Sequence, residues 1–317
     1  MKKRLIIPAM MMACVLALSA CGSSDVEQES QDSEDIVSSA AETAAISSDE
    51  VEGAPVRADS SDTDFTDATI EETELYNADG ITVTATEFNA NGYYGPEIEV
   101  RIQNESDVTV DIIAQNVAVN GYMLDPGLLY VEAMPGDTIE EEISLYDIYL
   151  DARGIDTVAT VALTIEVMDA ETYEEIGTGD RITLTTSAAE GYSQPVDDSG
   201  DVILDEDGVR VVSQGLKQDD NWAGDLVLYI ENDTDMFIGV SCTDIYINGK
   251  SEDDNVLLWA DLYADTRIVT GMYLMDIEDL DIESIADVKE ISFQLMIMDQ
   301  DDMEVIYTSD PITLNFE

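Results

Sequence analysis

The chain has 317 residues, of which 71 are Asp or Glu, 12 are Lys or Arg and none is His, so its formal net charge is −59. That length allows two or three domains at the usual size of about 100–200 residues each. The charge excludes proteins that neutralise nucleic-acid phosphates, and the lack of His excludes Ser-His-Asp catalysis and nearly all zinc sites. The 3 Cys residues provide no disulfide framework.

The N-terminus has the pattern of an export signal. Residues 2–4 are basic and precede an apolar run over residues 5–18. A helix of that length rises about 21 Å, less than the hydrocarbon thickness of about 30 Å, which favours a signal over a membrane span. The run ends in Leu18-Ser19-Ala20-Cys21, and a thiol at this point is what lipid attachment through a thioether requires. We therefore predict a signal peptide over residues 1–20 and a diacylglyceryl anchor on Cys21, which hold the protein to the extracytoplasmic face of the cell membrane.

The next segment, residues 21–66, is acidic and rich in serine. Thirteen acidic residues and ten serines lie between residues 22 and 66, with one aromatic residue, Phe65. Such a composition cannot bury enough apolar area to offset the entropy of ordering. We predict a disordered acidic tether that holds the folded part away from the membrane, the alternative being a spacer of no specific use.

An internal repeat organises the remainder of the chain. Residues 79–83 match residues 207–211 at an offset of 128, and residues 98–107 match residues 226–235 at the same offset. An insertion near Thr266 then shifts the offset to 130. The predicted domains are therefore two copies of one unit.

The apolar pattern within each copy has a period of two. Ile98, Val100 and Ile102 alternate with charged residues, which is typical of a strand with one face on a core and the other in water. Turn signals such as Asn120-Gly121 separate the strands. In the first copy these patterns predict strands at 81–88, 97–104, 107–114, 116–120, 138–145, 158–168 and 175–186.

About seven short strands in about 115 residues indicate an immunoglobulin-like antiparallel β-sandwich, with a single barrel per copy as the alternative. The predicted fold is all-β, with two tandem sandwich domains at 67–187 and 201–317 joined by a linker over 188–200. Short helical turns are predicted near residues 145–153 and 277–284.

This arrangement resembles a broad group of lipoproteins from Gram-positive bacteria, which carry one or two immunoglobulin-like domains of unknown function behind a lipobox and an acidic linker. The resemblance rests on Leu18-Ser19-Ala20-Cys21 and, in each copy, on the Asp-Gly start, Tyr94 or Trp222, the turn at Asn104 or Asn232, and the Asn-Gly hairpin. It implies surface display and a sandwich fold, with no assigned activity.

Clusters of carboxylates are the candidates for chemistry. Asp299, Asp301 and Asp302 crowd one predicted hairpin end, and Asp169 with Glu171 the matching one. Ca²⁺ prefers such oxygen ligands, but we predict solvated turn acids and no metal site, with weak calcium binding as the alternative. Paired carboxylates could also serve a glycosidase. Neither copy carries an acid in a setting apolar enough to raise its pKa, so we expect no catalytic residue, no cofactor and no enzyme activity.

Aromatic residues outside the strand pattern are the candidates for contact with a partner. Tyr94 and Trp222 lie at matching positions where the second strand of each copy begins, and Tyr122 and Trp259 follow the Asn-Gly turns. Such residues can anchor an interface or cap the ends of the sandwich core, and both interpretations stay open. The thiol at position 242 and the methionines at 168, 296 and 298 are predicted to fill the core.

These features predict a lipid-anchored extracytoplasmic protein that presents two sandwich domains and acts by binding or scaffolding an unidentified protein or glycan, without catalysis. The acidic surface favours basic or cation-bridged partners and disfavours anionic lipid and wall polymers. The alternative functions are a calcium-binding surface module and a wall-active hydrolase.

Overall fold

The computed structural model of the protein describes residues 63–124, 129–217, 225–251, 256–274 and 280–316. The predicted signal peptide, Cys21, nearly all of the predicted tether and Trp222 lie outside these ranges. The fold is all-β, with 59% strand and 5% helix, and its antiparallel sheets form sandwiches. The predicted fold class is therefore confirmed.

In its described residues the first repeat contains ten strands, one short α-helix and one 3-10 turn at Ser187–Ala189. The strands are β1 (Thr73–Ala78), β2 (Ile81–Gly92), β3 (Gly95–Asn104), β4 (Val110–Val119), β5 (Tyr122–Met123), β6 (Leu129–Ala133), β7 (Thr138–Ser144), β8 (Thr160–Asp169), β9 (Glu175–Thr178) and β10 (Ile182–Thr185), and the helix is α1 (Asp147–Asp151).

The described part of the second repeat contains eleven strands, with a 3-10 turn at Ile285–Asp287. The strands are β11 (Asp201–Glu206), β12 (Val209–Lys217), β13 (Asp225–Asn232), β14 (Ile238–Ile247), β15 (Lys250–Ser251), β16 (Val256–Leu257), β17 (Trp259–Leu262), β18 (Thr266–Leu274), β19 (Glu290–Asp299), β20 (Glu304–Thr308) and β21 (Ile312–Asn315). None of the helices found in the described ranges has the length and apolar character that a membrane span requires.

Each repeat is a sandwich of two sheets with the same topology. In the first repeat, one sheet has the order β1-β2-β3-β7, while the other is built on β4 and β8, with β5 and β6 beside β4 and with β9 and β10 beside β8. The second repeat reproduces this with β11-β12-β13-β18 in one sheet and with β14 and β19 at the centre of the other. The strands can be assigned to those of an immunoglobulin domain. In the first sheet, strands A, B and E correspond to β2, β3 and β7. In the second sheet, strand C corresponds to β4, C′ to β6, F to β8 and G to the β9–β10 pair.

The two repeats share one continuous sheet. Strand β5 of the first repeat pairs in parallel with β18 of the second, where Tyr122 lies opposite Arg267. An 11-stranded sheet therefore runs through both repeats, and both belong to one compact unit.

Buried side chains also cross from the second repeat into the first. Val212, Tyr229 and Val269 lie side by side on the outward face of the first sheet of the second repeat. They pack against the core of the first repeat, where the side chains of Val212 and Tyr229 are completely buried. A fully buried side chain of this size contributes about 1.5–3 kcal/mol to stability. The row at the matching position of the first repeat is Thr84-Arg101-Glu140, which is polar and suits water instead.

Asx and Asn-Gly turns join the strands in both repeats, as the sequence predicts. Asn120 and Gly121 have φ angles of 51° and 82°, and Asn248 and Gly249 have φ angles of 50° and 78°. Two successive residues with positive φ define a type I′ hairpin, whose twist matches that of the flanking strands. The Asn side chain also binds the residue that directly precedes a later strand. The Asn120 Oδ1 atom accepts from the backbone N–H of Ala159, before β8, at 2.8 Å. Asn248 Oδ1 accepts from the backbone N–H of Lys289, before β19, at the same distance.

Some predicted strand boundaries are wrong, and bulges explain most of the differences. The segments predicted at 107–114 and 116–120 form the single strand β4, which has a bulge after Gln115. Strand β1 lacks an alternating pattern because a bulge buries both Leu75 and Tyr76. The segment predicted at 175–186 is broken into β9 and β10. The helical turn near 145–153 is confirmed as α1, whereas three of the eight residues of the turn predicted near 277–284 lie outside the described residues.

Candidate partner-binding surface

Tyr122, one of the four predicted contact residues, is buried rather than exposed. Only 2% of its surface is accessible, and burial raises the pKa of its hydroxyl. The guanidinium of Arg267 lies 5.4 Å from its ring centre, and the Arg267 backbone N–H donates to the carbonyl of Gly121 at 2.9 Å. Because β5 joins the sheet of the second repeat, Tyr122 holds the repeats together and is corrected from a partner contact to an internal one.

Two further arginines bind across the same boundary. The guanidinium of Arg181 lies 4.1 Å from the centre of the Tyr263 ring, and Arg153 donates to the carbonyl of Val269 at 3.3 Å. Arginine suits such sites because its planar, weakly hydrated group stacks on aromatic rings and bonds to carbonyls when desolvated. Arg153, Arg181 and Arg267 therefore help to hold the two repeats together.

Tyr94 is exposed at the tip of the hairpin between β2 and β3. It belongs to a cluster of four rings, here called the tyrosine cluster: Tyr93, Tyr94, Tyr146 and Tyr149. The centre of the Tyr94 ring is 4.6 Å from that of Tyr93 in an edge-to-face contact and 5.5 Å from that of Tyr146, while Tyr146 and Tyr149 are 5.8 Å apart. The carbonyl of Tyr94 accepts from the backbone N–H of Asp147 at 2.8 Å. This bond fixes the hairpin tip to α1, so the cluster is a defined surface feature.

Trp259 is 48% exposed and lies on the outward face of the second sheet of the second repeat. Register across this sheet sets Ser241 opposite Trp259 and Met296 opposite Ser241. The adjacent row runs from Asp261 through Gly239 and Met298 to Val305. We define the Trp259 face as the outward apolar residues of these rows: Trp259, Met296, Met298 and Val305.

Met296 and Met298 are not core residues, contrary to their prediction. Along β19 the side chains of Ile291, Phe293, Leu295 and Ile297 are buried and those between them are partly exposed. Because a strand alternates its side chains between two faces, both methionines point outward. That alternation is legible in the sequence and could have placed them on the surface. The thiol at position 242, by contrast, packs against the core of the second repeat while staying partly exposed.

A hydrogen-bonded side-chain pair borders the Trp259 face. Gln300 donates to the carboxylate of Asp261 at 2.9 Å. To do so its amide lies over Gly239, where the Cβ of any larger residue would come within 1.9 Å of the Gln300 nitrogen. Burial raises the pKa of Asp261, and a hydrogen bond from Trp259 acts in the opposite direction. The bond also holds the indole beside β17, so the aromatic ring is presented in a defined orientation.

The corresponding face of the first repeat is more acidic. Tyr130 takes the place of Trp259, because it lies opposite Ile113 as Trp259 lies opposite Ser241, and Met168 takes the place of Met298. The position of Met296 is occupied by Glu166, and that of Val305 by Glu175. Two of the four positions therefore carry carboxylates in the first repeat and apolar side chains in the second.

Two acids on these faces have raised pKa values, which corrects the expectation that neither copy has an acid in such a setting. Burial raises the pKa of Glu166, with a smaller contribution from the charge of Glu175. Glu166 also accepts a hydrogen bond from Gln115. Glu166 and Asp261 belong to different repeats.

The acidic turns use their carboxylates to bond the backbone. Asp169 Oδ1 accepts from the N–H groups of Glu171 and Thr172 at 2.9 and 2.8 Å, and these bonds lower the pKa of Asp169. Asp299 Oδ1 accepts from the N–H of Asp301 at 2.9 Å. Within the described ranges, no three His, Cys, Asp or Glu side chains are grouped so that they could hold a metal ion.

Clefts occur at one open side of both sandwiches. Strand β1 and the β9–β10 pair flank two clefts of about 550 and 460 Å³ in the first repeat. Strand β11 and the β20–β21 pair flank two of about 760 and 380 Å³ in the second. Because they recur at matching positions, they follow from the shape of the sandwich.

Comparison with known proteins identifies no family. No family model matches the chain, and no curated protein matches it. A solved structure of red sea bream transglutaminase is 9% identical, over 74% of this chain and 29% of the transglutaminase chain, with a TM-score of 0.17. A likeness at that TM-score supports no conclusion about fold or activity. The fold and function of the chain are therefore argued from its own sequence and structure.

Proposed function

We propose that this chain is a lipid-anchored extracytoplasmic protein that binds or scaffolds a partner through the Trp259 face, without catalytic activity. The lipobox-like Leu18-Ser19-Ala20-Cys21 supports the anchor. The acidic segment that follows supports a tether, because like charges repel and extend a flexible chain. A sequence without His supports a binding role, since the commonest general base is missing.

The single observation that carries the proposal is the exposed Trp259 face on one repeat. Tryptophan and methionine are enriched where proteins bind one another, and an exposed apolar patch in an acidic surface marks an interaction site. The matching face of the first repeat has carboxylates at two of these four positions, Glu166 and Glu175. A feature that the sandwich fold itself requires would recur in both copies. A face that is apolar at all four positions in the second repeat alone therefore supports a role in binding a partner.

The anchor is tested by labelling the intact cell with a fatty acid that the cell incorporates into lipoproteins. The label is expected in the unaltered chain and absent from Cys21→Ser, which should be released into the medium. Label retained by Cys21→Ser would contradict the anchor at this residue.

The partner contact is tested by photo-crosslinking on the intact cell. A photoreactive amino acid is introduced at Met303, which is 59% exposed and follows β19, and in a separate variant at Tyr173, its counterpart in the first repeat, which is 70% exposed. We expect a discrete cross-linked species from position 303 that disappears in Trp259→Ala. Equal products from both positions, or products that Trp259→Ala leaves unchanged, would count against this surface.

A further inference from the structure

We infer that the partner segment received by the Trp259 face is a basic amphipathic helix. This inference rests on the proposed function above and names the chemistry of its partner.

The dimensions of the face suit a helix. Its residues lie on strands from β17 to β20, which are neighbours in the order β17, β14, β19, β20. Strands are about 4.8 Å apart, so the three intervals span about 14 Å, whereas a helix with its side chains is about 10–12 Å wide. Between the Trp259 indole and the two methionines, β14 contributes Gly239, which the Gln300 amide covers, and Ser241, which is 6% exposed. An apolar side chain of the partner would therefore pack on the surface of the face and would not enter a groove. The thioethers of Met296 and Met298 can adapt to the shape of that side chain.

The surroundings of the face select a basic partner. Asp261 borders it on β17, and the turn that joins β19 to β20 follows Asp299 and precedes Glu304. Asp301 and Asp302 are exposed in the turn between these two strands. Lys or Arg on the flanks of an apolar stripe would lie near these carboxylates, which gives complementary charge. A second copy of this chain, with its net charge of −59, would be repelled.

The edges of this sheet do not favour addition of a strand. Strand β20 has a bulge opposite Ile297 and Met298, and a bulged edge is a poor template for another chain. At the opposite edge, beyond β17, the carbonyls of Leu262 and Tyr263 accept hydrogen bonds from Asn232 at 3.0 Å. A helix needs only the side-chain face, not a free backbone edge, and packs well on a sheet.

The test uses the chain from residue 21 onward with Cys21→Ser and two synthetic helices of about 18 residues, or five turns. Both helices carry the same leucine stripe, one with Lys and the other with Glu on the polar face. Isothermal titration calorimetry is expected to show binding of the Lys helix and none of the Glu helix. Trp259→Ala should weaken the Lys helix at least about tenfold, as loss of a buried aromatic anchor does.

Matched variants separate docking on this face from general attraction to an acidic protein. Tyr130→Ala removes the equivalent exposed ring of the first repeat and should change the affinity less than about twofold. Met296→Glu with Val305→Glu introduces the residues that the first repeat has at these positions and should abolish binding while circular dichroism stays that of a β protein. Equal weakening by Trp259→Ala and Tyr130→Ala, or equal binding of both helices, would overturn the inference. If the Lys helix ignores the face while crosslinking from position 303 still captures a partner, the helix inference fails and the proposed function stands.

Discussion

The guanidinium of Arg181, in the first repeat, lies 4.1 Å above the centre of the Tyr263 ring in the second. Arg181 also donates to the carbonyl of Asn116, and the Asn116 amide donates to the Tyr263 hydroxyl at 3.2 Å. Tyr263 in turn stacks on Phe237, with ring centres 4.1 Å apart. These contacts join the first repeat to the second. Arg181 is shielded from water at this junction, and burial lowers its pKa.

Replacing Arg181 should loosen the association of the repeats. Arg181→Ala removes a desolvated cation–π contact and a hydrogen bond, so we expect a loss of about 1–3 kcal/mol in the free energy of unfolding. Arg181→Lys keeps the charge but not the planar stack and should recover only part of it. Urea denaturation followed by circular dichroism measures the change. A midpoint identical to that of the unaltered chain would show that this contact adds nothing.

A buried Asn closes the same turn in each repeat. Asn104 donates to the carbonyls of Val108 and Ala133 at 2.9 and 2.8 Å, and its oxygen accepts from the N–H of Ser106 at 2.9 Å. Asn232 repeats this arrangement, with its oxygen accepting from Thr234. Both side chains are completely buried. The carbonyls they satisfy would otherwise be left without partners inside the protein.

Removing either Asn should therefore be costly. We expect Asn104→Ala and Asn232→Ala each to lower the free energy of unfolding by about 2–4 kcal/mol, because buried carbonyls lose their donors. Asn77→Ala is the matched control: it loses one exposed hydrogen bond to Glu74, and its effect should stay below about 0.5 kcal/mol. Thermal or urea unfolding gives the comparison. Small effects at both buried positions would mean that other groups, such as water, replace the amide.

Tyr130 should ionise at unusually high pH. Its hydroxyl donates to Asp111 at 2.6 Å, and this bond, rather than burial, is the main reason why its pKa is raised to about 12. Losing the proton would leave two negative oxygens in contact. Asp111→Ala should bring the pKa of Tyr130 down towards 10.0, the ordinary value for tyrosine. NMR of ring-labelled tyrosine across the alkaline range, with Tyr130→Phe to assign the signal, measures both values, and an unchanged pKa in Asp111→Ala would contradict the assignment.

Glu166 should make stability depend on pH. Burial raises the pKa of Glu166 in the folded state, so folding favours its protonated form, and this contribution is lost as the pH rises from the ordinary Glu pKa through the raised one. Glu166→Gln, which can still accept from Gln115, is expected to raise the Tm at pH 7. The gain should shrink to nearly nothing once the pH falls below the ordinary value of 4.5. A gain of the same size at both pH values would rule out titration of Glu166 as the cause.

The candidate site was visible in the sequence only in part. The sequence marks Trp259 as a contact candidate because it lies outside the strand pattern, and its side chain is 48% exposed. The same pattern marks Tyr122, yet Tyr122 is buried at the junction of the repeats. One signal in the sequence indicates that the repeats pack together. Strand β13 is apolar on both faces, with five apolar residues in succession at 226–230, whereas its counterpart β3 alternates. A strand apolar on both faces is covered on both sides, which would have indicated that the second repeat is docked.

Local sequence patterns were enough to establish the duplicated all-β architecture, the Asn-Gly hairpins and the buried cores. Apolar alternation and turn residues act over a few consecutive residues, so the sequence shows them directly. Docking of the repeats, burial of Tyr122 and assembly of the Trp259 face depended on the folded arrangement. Each brings together side chains from strands far apart in the chain, and a register set by bulges determines which of them become neighbours.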